Sequence, residues 1–422
     1  MGAHLLYLLL SLLSLALATV AGAGIGAGES TFQYLKLPLL HNRPFPSQIL
    51  SSDSTRLISL HRRRAQLPVT SGSASGSGQY FVEFHLGTPP QRLLLVADTG
   101  SDLVWVTCSA CRNCSERVPH SAFLARHSAS FAPVHCYDEK CKLVPHPRRV
   151  ACNHTRLHSP CRYEYFYSDG SVTSGFFATE TTAFNASSGL PVRFKNVKFG
   201  CGFRASGPSI TGPSFNGAQG SPTPRSYLVI GDSQGVIGGG ATNGSRLSFT
   251  PLIHNSVSPT FYYIGIESVT IEDTKLPISP SVWAIDELGN GGTVMDSGTT
   301  LTFLAQPAYT RIVNEFKRRV KLPQPAELTP GFDLCINVSG LPNPNPNLPK
   351  LTFRFASGSI FAPPTGNYFL DTAPDVKCLA LQPVALPAAF SVIGNLMQQG
   401  FTFQFDRDQS LLGFSRHGCS QP

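Results

Sequence analysis

Charged residues and long hydrophobic runs are both scarce in this chain of 422 residues. Only 14% of the residues are charged and 41% are hydrophobic, a balance that excludes a largely disordered protein. The formal net charge of +8 is spread over short basic clusters at 61–64, 148–149 and 317–319, without interleaved aromatic residues. Such clusters are typical of ordinary solvated surfaces, so we expect no nucleic-acid partner.

Only one stretch is apolar for long enough to serve as a targeting or membrane segment. Residues 5–20 are nearly all apolar and are followed by small residues at 21–23, although no Lys or Arg precedes them. This arrangement is typical of a secretory signal peptide, and no later run is long enough to cross a membrane. We predict a signal peptide over 1–23 and an extracellular (cell wall) or vacuolar destination; a retained N-terminal anchor is the alternative.

Long helices are also disfavoured, because 38 Gly and 34 Pro residues impose frequent turns. Residues 24–75 show no sustained period and run into the flexible stretch "SGSASGSG", so we predict a leader or propeptide there. From Gln79 onward, short β-type runs alternate with Gly, Pro, Asp or Asn turns, which predicts a mainly β protein. The exception is 306–320, where the spacing of apolar residues predicts one amphipathic helix.

A repeated motif divides the β-rich part of the chain into two. "LVADTGSDLVWV" at 95–106 and "TVMDSGTTLTFL" at 293–304 both place an Asp, a small hydroxyl residue and a Gly between apolar runs. The two acidic residues, Asp98 and Asp296, are 296 − 98 = 198 positions apart. Because 422 residues suffice for two cores, we predict two related lobes, over 76–245 and 246–422.

The residue types of this motif are those that a pair of catalytic carboxylates requires. The Gly lets the chain turn and brings backbone N–H groups to the acid, and hydroxyl side chains hold the acid by hydrogen bonds. Two carboxylates brought face to face cannot both stay ionised, so they share one proton and act as base and acid. A single Asp-Thr-Gly is more often a plain turn, and glycoside hydrolases also use paired carboxylates, but neither explains a repeated glycine-turn frame.

From Gln79 to Cys419 the chain resembles the pepsin-like aspartic proteases, and within them the cysteine-rich plant branch that is similar to nepenthesins. The resemblance rests on the two Asp motifs and on the motifs described next. It implies an all-β, bilobal pepsin-like fold, in which two β-barrel-like lobes enclose the active-site cleft. It also implies a monomeric aspartic-type endopeptidase that is made as a zymogen, acts on protein or peptide substrates and needs no metal or organic cofactor.

The resemblance assigns roles within the two motifs. Asp98 and Asp296 would activate the water that attacks a peptide carbonyl. The supporting residues are Thr99, Gly100, Ser101, Ser297, Gly298 and Thr299. Of these, Ser101 and Thr299 would bond the outer carboxylate oxygens, whereas Thr99 and Ser297 would brace the two loops. "SVIGN" at 391–395 resembles the element that passes behind the C-terminal catalytic loop, although Val-Ile-Gly is also a common strand end.

"YFYSDGSVTSGFFATET" at 165–181 resembles the hairpin flap that closes over a substrate. The resemblance makes Tyr167 the flap tyrosine and Trp105 its hydrogen-bonding neighbour. Ser168 stands where the family usually has Gly. The aromatic residues of this stretch are explained more simply by their alternation along a half-buried strand, and such a strand is compatible with a flap.

Eleven cysteines are present, and a secreted protein uses them for disulfides. Zinc is the alternative, because a Cys-x-x-Cys spacing lies near His135, His154 and His158. Five Asn-x-Ser/Thr sequons, at Asn113, Asn153, Asn185, Asn243 and Asn337, fit a secreted glycoprotein. The resemblance implies the pairs Cys108–Cys111, Cys114–Cys201, Cys136–Cys161, Cys141–Cys152 and Cys335–Cys378.

Cys419 is left without a partner by this pattern. In the family its partner follows the "FGCG" strand, in a segment that also contains the apolar-apolar-Gly element of the N-terminal lobe. Here 199–220 leads directly into "SPTPRSYLVIGD" at 221–232, so we predict a deletion near Gly220–Ser221. "YLVIG" at 227–231 acting as a substitute is the less favoured explanation. Loss of a strand behind Asp98 would leave backbone groups unpaired, at about 1–3 kcal/mol each, so a catalytically impaired binding or inhibitor protein is the alternative function.

Overall fold

The structure is a computed structural model. It describes residues 65–71, 78–112, 122–144, 158–167, 170–185, 191–207, 227–230, 247–327, 329–343, 346–384 and 390–416. Several predicted features lie outside these ranges: the signal peptide, the leader up to residue 64, Ser168, Cys114, Cys152, Cys419, the junction at Gly220–Ser221 and the sequons at Asn113, Asn153 and Asn243.

The described residues of the N-terminal lobe form one nine-stranded sheet, with the strand order β4-β8-β7-β2-β1-β9. Strand β3 pairs with β2, and β5 and β6 pair with β7. The strands are β1 Ala65–Ser71, β2 Tyr80–Leu86, β3 Gln91–Val96, β4 Trp105–Arg112, β5 Ala132–Pro133, β6 Arg162–Phe166, β7 Val172–Asn185, β8 Pro191–Ser206 and β9 Tyr227–Ile230.

The C-terminal lobe contains sheets of eight, four and three strands. Their orders are β21-β15-β22-β14-β11-β10-β24-β23, β13-β12-β17-β18 and β16-β20-β19. The strands are β10 Ser248–Ile253, β11 Tyr263–Ile264, β12 Ile266–Ile271, β13 Thr274–Lys275, β14 Thr293–Met295, β15 Thr302–Leu304, β16 Cys335–Asn337, β17 Leu351–Phe355, β18 Ile360–Phe361, β19 Phe369–Ala373, β20 Val376–Leu379, β21 Leu381–Pro383, β22 Ser391–Ile393, β23 Thr402–Asp406 and β24 Leu411–Ser415.

Among the described residues two helices interrupt the strands, α1 at Gln306–Arg319 and the single turn α2 at Asn395–Gln398. The helix predicted at 306–320 is confirmed, because Tyr309, Ile312, Val313 and Phe316 are buried on one face of α1. Short 3-10 turns lie at Ala125–His127, Glu139–Leu143, Pro280–Trp283 and Thr365–Asn367. Within the described ranges, no helix is both long and apolar enough to span a bilayer.

Alternation of apolar residues along the strands forms a separate core in each lobe. In β2, for example, Val82, Phe84 and Leu86 are buried and pack against Phe184 and Phe199. The C-terminal core lies around α1 and the strands β12 and β17. The predicted all-β, two-lobed architecture is therefore confirmed.

Strand β1 belongs to the part of the chain that we assigned to the leader. It pairs antiparallel with β2, with Val69 opposite Val82, and with β9, with Ala65 opposite Ile230. The sheet of the N-terminal lobe therefore extends upstream of residue 76. The position at which a leader would be cleaved stays a prediction.

The disulfides differ from the predicted pattern in the N-terminal lobe. Cys108 is bonded to Cys201, and Cys141 is bonded to Cys161. These bonds exclude the predicted pairs Cys108–Cys111, Cys114–Cys201, Cys136–Cys161 and Cys141–Cys152. They also remove Cys108 as a zinc ligand. In the C-terminal lobe Cys335 is bonded to Cys378, the pair that the resemblance implied.

Strand geometry explains the correction. The predicted pair Cys108–Cys111 lies within one strand, β4, and takes no account of the strand beside it. Strand β4 instead runs parallel to β8, with Val106 opposite Cys201, which brings the Cα atoms of Cys108 and Cys201 to 5.4 Å. Cys136 is also in a disulfide.

The Cys108–Cys201 bond can be tested by replacement. We expect Cys201→Ser to lower the free energy of unfolding by about 2–5 kcal/mol, because the bond closes a loop with a sequence separation of 93 residues. Denaturant unfolding would measure the loss, with Cys378→Ser as the matched variant in the other lobe. Digestion without reduction should release a peptide pair containing Cys108 and Cys201; a pair linking Cys201 to Cys114 would contradict the assignment.

Candidate active site

The two acidic residues of the repeat occupy equivalent places in the two lobes. Asp98 follows β3 and Asp296 follows β14, in each case at the point where an apolar strand ends and the chain turns through a Gly. Both side chains are buried, Asp98 at 6% and Asp296 at 7% exposure. Carboxylates at this depth need donors, because burial without hydrogen bonds is costly.

Each carboxylate receives the same pair of donors from its own loop. Oδ1 of Asp98 accepts from the backbone N–H of Gly100 at 2.7 Å, and its Oδ2 accepts from the hydroxyl of Ser101. Oδ1 of Asp296 accepts from the N–H of Gly298 at 2.8 Å, and Oδ2 accepts from the Thr299 hydroxyl at 2.6 Å. The hydroxyl residue three positions after the acid therefore fixes one oxygen in both lobes.

Thr99 and Ser297 tie the two loops together by reciprocal hydrogen bonds. The N–H of Thr99 donates to Ser297 Oγ at 3.1 Å, and the N–H of Ser297 donates to Thr99 Oγ1 at 2.9 Å. Each hydroxyl also donates to a backbone carbonyl of the opposite loop, Thr99 to Met295 at 3.0 Å and Ser297 to Ala97 at 2.8 Å. This pairing sets the two acidic residues in a symmetrical arrangement across the lobe boundary.

The carboxylates lie directly against the opposite glycines. A Cβ atom placed on Gly100 would come closer than 3.0 Å to the carboxylate of Asp296, and one placed on Gly298 would come equally close to that of Asp98. Glycine is therefore required at both positions by space, because any side chain would separate the acids.

The electrostatics of the pair follow from this packing. Burial, and then the charge of Asp98, raise the pKa of Asp296 to about 7. The hydrogen bonds from Thr299 and Gly298 act in the opposite direction and are outweighed. Asp296 consequently keeps its proton at acidic and mildly acidic pH. A protonated and an ionised carboxyl side by side can serve as acid and base in one reaction.

The loop that carries Asp296 is supported from behind by the 391–398 segment. Strand β22 runs parallel to β14, and the carbonyl of Ile393 accepts from the N–H of Asp296 at 3.1 Å. Two amide side chains add to this support. Asn395 Nδ2 donates to the carbonyl of Ser297 at 3.1 Å, and Gln398 Nε2 donates to that of Asp296 at 3.1 Å. Neither role was predicted from the sequence, where the signal is the amide-rich stretch directly after "SVIG".

The support behind Asp98 is different. In the described part of the N-terminal lobe, β3 pairs with β2 and with no second strand. Strand β9, which we considered as a substitute for the absent element, pairs with β1 instead. The described residues therefore contain no counterpart of β22 beside β3.

The hairpin that was predicted to be the flap places aromatic side chains beside Trp105 and Asp102. Strands β6 and β7 form the hairpin, and the N–H of Tyr167 donates to the carbonyl of Ser171 at 2.9 Å near its tip. Trp105 Nε1 donates to the hydroxyl of Tyr167 at 2.7 Å, so these two side chains are in contact. Tyr165 packs against Tyr167 with a ring-centroid distance of 4.9 Å.

The chain matches known families over most of its length. Family models described as xylanase inhibitor N-terminal and xylanase inhibitor C-terminal match residues 80–221 and 261–416. Aspartyl protease family protein 2 of Arabidopsis thaliana is 32% identical over 427 residues, covering 90% of this chain and 83% of that protein. Aspartic proteinase nepenthesin-1 of Nepenthes gracilis is 32% identical over 384 residues, covering 85% and 83%.

Solved structures show the same fold at lower identity. The crystal structure of edgp has a TM-score of 0.61 and 20% identity, and covers 86% of this chain and 96% of its own. The basic 7S globulin from soybean has a TM-score of 0.58 and 18% identity, with coverage of 85% and 97%. The fold, the two matching Asp loops and the relatives together place the chain: it belongs to the pepsin-like aspartic proteases, in the plant branch that includes the nepenthesins.

Proposed function

We propose that this protein is an aspartic-type endopeptidase that hydrolyses peptide bonds with a water molecule activated by Asp98 and Asp296. One observation carries the proposal: two buried carboxyls, held by equivalent donors, lie against each other's glycines, and burial together with the charge of Asp98 raises the pKa of Asp296 to about 7. Retention of both acids, both glycines and both hydroxyl residues is what a working dyad requires.

The chemistry needs only these side chains and water. The ionised carboxyl takes a proton from the water molecule while the water oxygen bonds to the peptide carbonyl carbon. At the same time the protonated carboxyl donates its proton to the carbonyl oxygen. The tetrahedral intermediate then collapses. The C–N bond breaks, the nitrogen takes the proton held by the first carboxyl, and the hydroxyl proton returns to the second. The dyad thus ends the cycle with one shared proton.

The protein is proposed to work outside the cytosol. Three disulfides among the described residues support an oxidising compartment, since cytosolic thiols are kept reduced. The predicted signal peptide agrees with an extracellular or vacuolar destination. The basic leader is proposed to cover the acidic cleft until it is removed, which makes the secreted form a zymogen.

The pH dependence tests the dyad directly. Because the pKa of Asp296 is raised to about 7, the singly protonated dyad is lost as the pH rises past 7, so hydrolysis of an unfolded protein should fall there. The measurement is kcat/KM on a fluorescent peptide between pH 3 and pH 9, with circular dichroism recorded at each pH. Folded protein that cleaves as fast at pH 9 as at pH 5 would contradict the proposal.

A protease-shaped binding or inhibitor protein is the second candidate. Two observations favour it: the described residues contain no strand behind Asp98 that matches β22, and the N-terminal family match ends at 221, at the predicted junction. The family descriptions name xylanase inhibitors. Tight binding of a peptide with a non-hydrolysable tetrahedral centre, without cleavage of the matching substrate, would favour this candidate.

Sequencing the transcript across codons 220 and 221 would show whether a longer form exists.

A further inference from the structure

Asp102 lies between three elements that come from distant parts of the chain. It follows Asp98 by four positions on the same loop. Its backbone N–H donates to the hydroxyl of Tyr165, on flap strand β6, at 3.4 Å. Its Oδ2 accepts from the hydroxyl of Thr260, which belongs to the C-terminal lobe, at 3.4 Å. Asp102 therefore contacts the flap and the opposite lobe at the same time.

The carboxyl of Asp102 lies beside the phenol of Tyr165, whose hydroxyl accepts from the Asp102 N–H and can itself donate one hydrogen bond. Burial raises the pKa of Tyr165 well above its ordinary value, and the charge of Asp102 raises it further. The phenol therefore keeps its proton at acidic and neutral pH. Oδ1 of Asp102 is buried and has no hydrogen-bond partner within the described residues, so it is free to accept a hydrogen bond from the protonated phenol.

Tyr165 connects this pair to the flap tyrosine. Its ring lies 4.9 Å from that of Tyr167, and the hydroxyl of Tyr167 accepts from Trp105 Nε1 at 2.7 Å. Trp105 is itself buried in the N-terminal lobe. The path from Asp102 to the flap tyrosine thus consists of one hydrogen-bonded pair and one aromatic contact. Displacement of the Tyr165 hydroxyl would move a ring that supports Tyr167.

We propose that Asp102 is a positioning residue for the flap: its carboxylate holds the hydroxyl of Tyr165, and its contact with Thr260 ties the flap to the C-terminal lobe. Asp102 acts through Tyr165 and does not touch the reacting atoms. The role deepens the proposed peptidase function and rests on it, since a positioned flap serves a peptide in the cleft.

The first test uses fluorescence and does not depend on turnover. The chain has two tryptophans, and Trp283 is buried in the C-terminal core with no partner for its Nε1 in the described part of the chain. In a Trp283→Phe background, Trp105 is the single reporter of the flap. Asp102→Ala should shift the emission of Trp105 to longer wavelength and raise its acrylamide quenching constant about twofold, because the hydroxyl of Tyr167 leaves its place. Asp102→Asn retains an acceptor and should keep the original spectrum.

Matched variants separate this role from general destabilisation. Glu164 is exposed on the outer face of the same strand, so Glu164→Gln should leave the spectrum and the kinetics unchanged. Tyr165→Phe should reproduce Asp102→Ala, and the double variant should be no worse than either, because both changes break one contact. Thr260→Val removes the hydrogen bond between Asp102 and the C-terminal lobe. This variant takes the place of Asp102→Ala in the test if Asp102→Ala does not fold.

The kinetic test separates binding from chemistry. We expect Asp102→Ala to raise KM about tenfold and to leave kcat within about twofold, since fewer molecules have the flap in its productive place.

Three results would overturn the proposal: an unchanged Trp105 spectrum, an additive double variant, or a loss confined to peptides with Lys or Arg, which would show direct substrate contact. If the wild-type protein cleaves no peptide, the peptidase function fails, while the fluorescence still decides the role of Asp102.

Discussion

Asp296→Asn should lower kcat for peptide hydrolysis by about 10³-fold or more at pH 5, because an amide can neither hold nor release the proton that the dyad shares. The replacement is nearly isosteric, so the donors from Gly298 and Thr299 remain in place. The effect should therefore fall on kcat, while binding of a peptide with a non-hydrolysable tetrahedral centre persists.

Stability provides an independent measurement on the same variant. The folded pKa of Asp296 is raised above the ordinary value of 3.8, so its contribution to stability is fully present below about pH 4 and is lost as the pH rises towards 7. Asn does not titrate and lacks this loss. We expect the melting temperature of Asp296→Asn, relative to the wild type, to increase between pH 4 and pH 8.

Asp273→Asn is the matched control for both measurements, because Asp273 is exposed on the surface of the same lobe. It should leave kcat and the pH dependence of the melting temperature unchanged. Wild-type rates in Asp296→Asn, with no loss in kcat, would place the catalytic acid and base elsewhere in the protein.

Gly298→Ala should also remove most of the activity, by about 100-fold, although it changes no reacting group. The added methyl would come closer than 3.0 Å to the carboxylate of Asp98, and Asp98 is buried among fixed donors, so one of the two loops has to move. A displacement of this kind separates the two carboxyls and disturbs their shared proton. Overpacking should in addition cost about 1–3 kcal/mol of unfolding free energy.

The control for this variant is Gly366→Ala. No atom lies within 4 Å of a Cβ at Gly366, and its backbone does not require Gly. Its activity and melting temperature should match those of the wild type. Gly100→Ala should behave like Gly298→Ala, since it meets the carboxylate of Asp296 in the same way. Full activity in Gly298→Ala would mean that the two carboxyls need not be in contact for catalysis.

Local sequence patterns were sufficient for the architecture and for the two Asp motifs. The β texture of the chain and the helix at 306–320 follow from hydrophobic periodicity, which depends on neighbouring residues. The repeat at Asp98 and Asp296 is likewise readable, because each lobe carries its own copy of strand, turn and hydroxyl residue. The bonds of Gly100, Ser101, Gly298 and Thr299 to these acids span only two or three residues.

Contacts between distant residues were decided by strand register and by the approach of the lobes. Cys108 bonds to Cys201 because β4 lies beside β8, a neighbour that no spacing within the cysteine-rich segment reveals. Asn395 and Gln398 hold the Asp296 loop from about 100 positions away, and Thr260 meets Asp102 across 158 positions.

The sequence by itself therefore determined the two-lobed β fold, the family and the two acidic residues, because local hydrogen bonds and hydrophobic alternation encode them. The tertiary structure alone decided which cysteines pair, which amides support the Asp296 loop and how Asp102 contacts both strand β6 and the opposite lobe. These features depend on which strand edges and loops become neighbours after folding. The packing of the cores of the whole chain determines those neighbours.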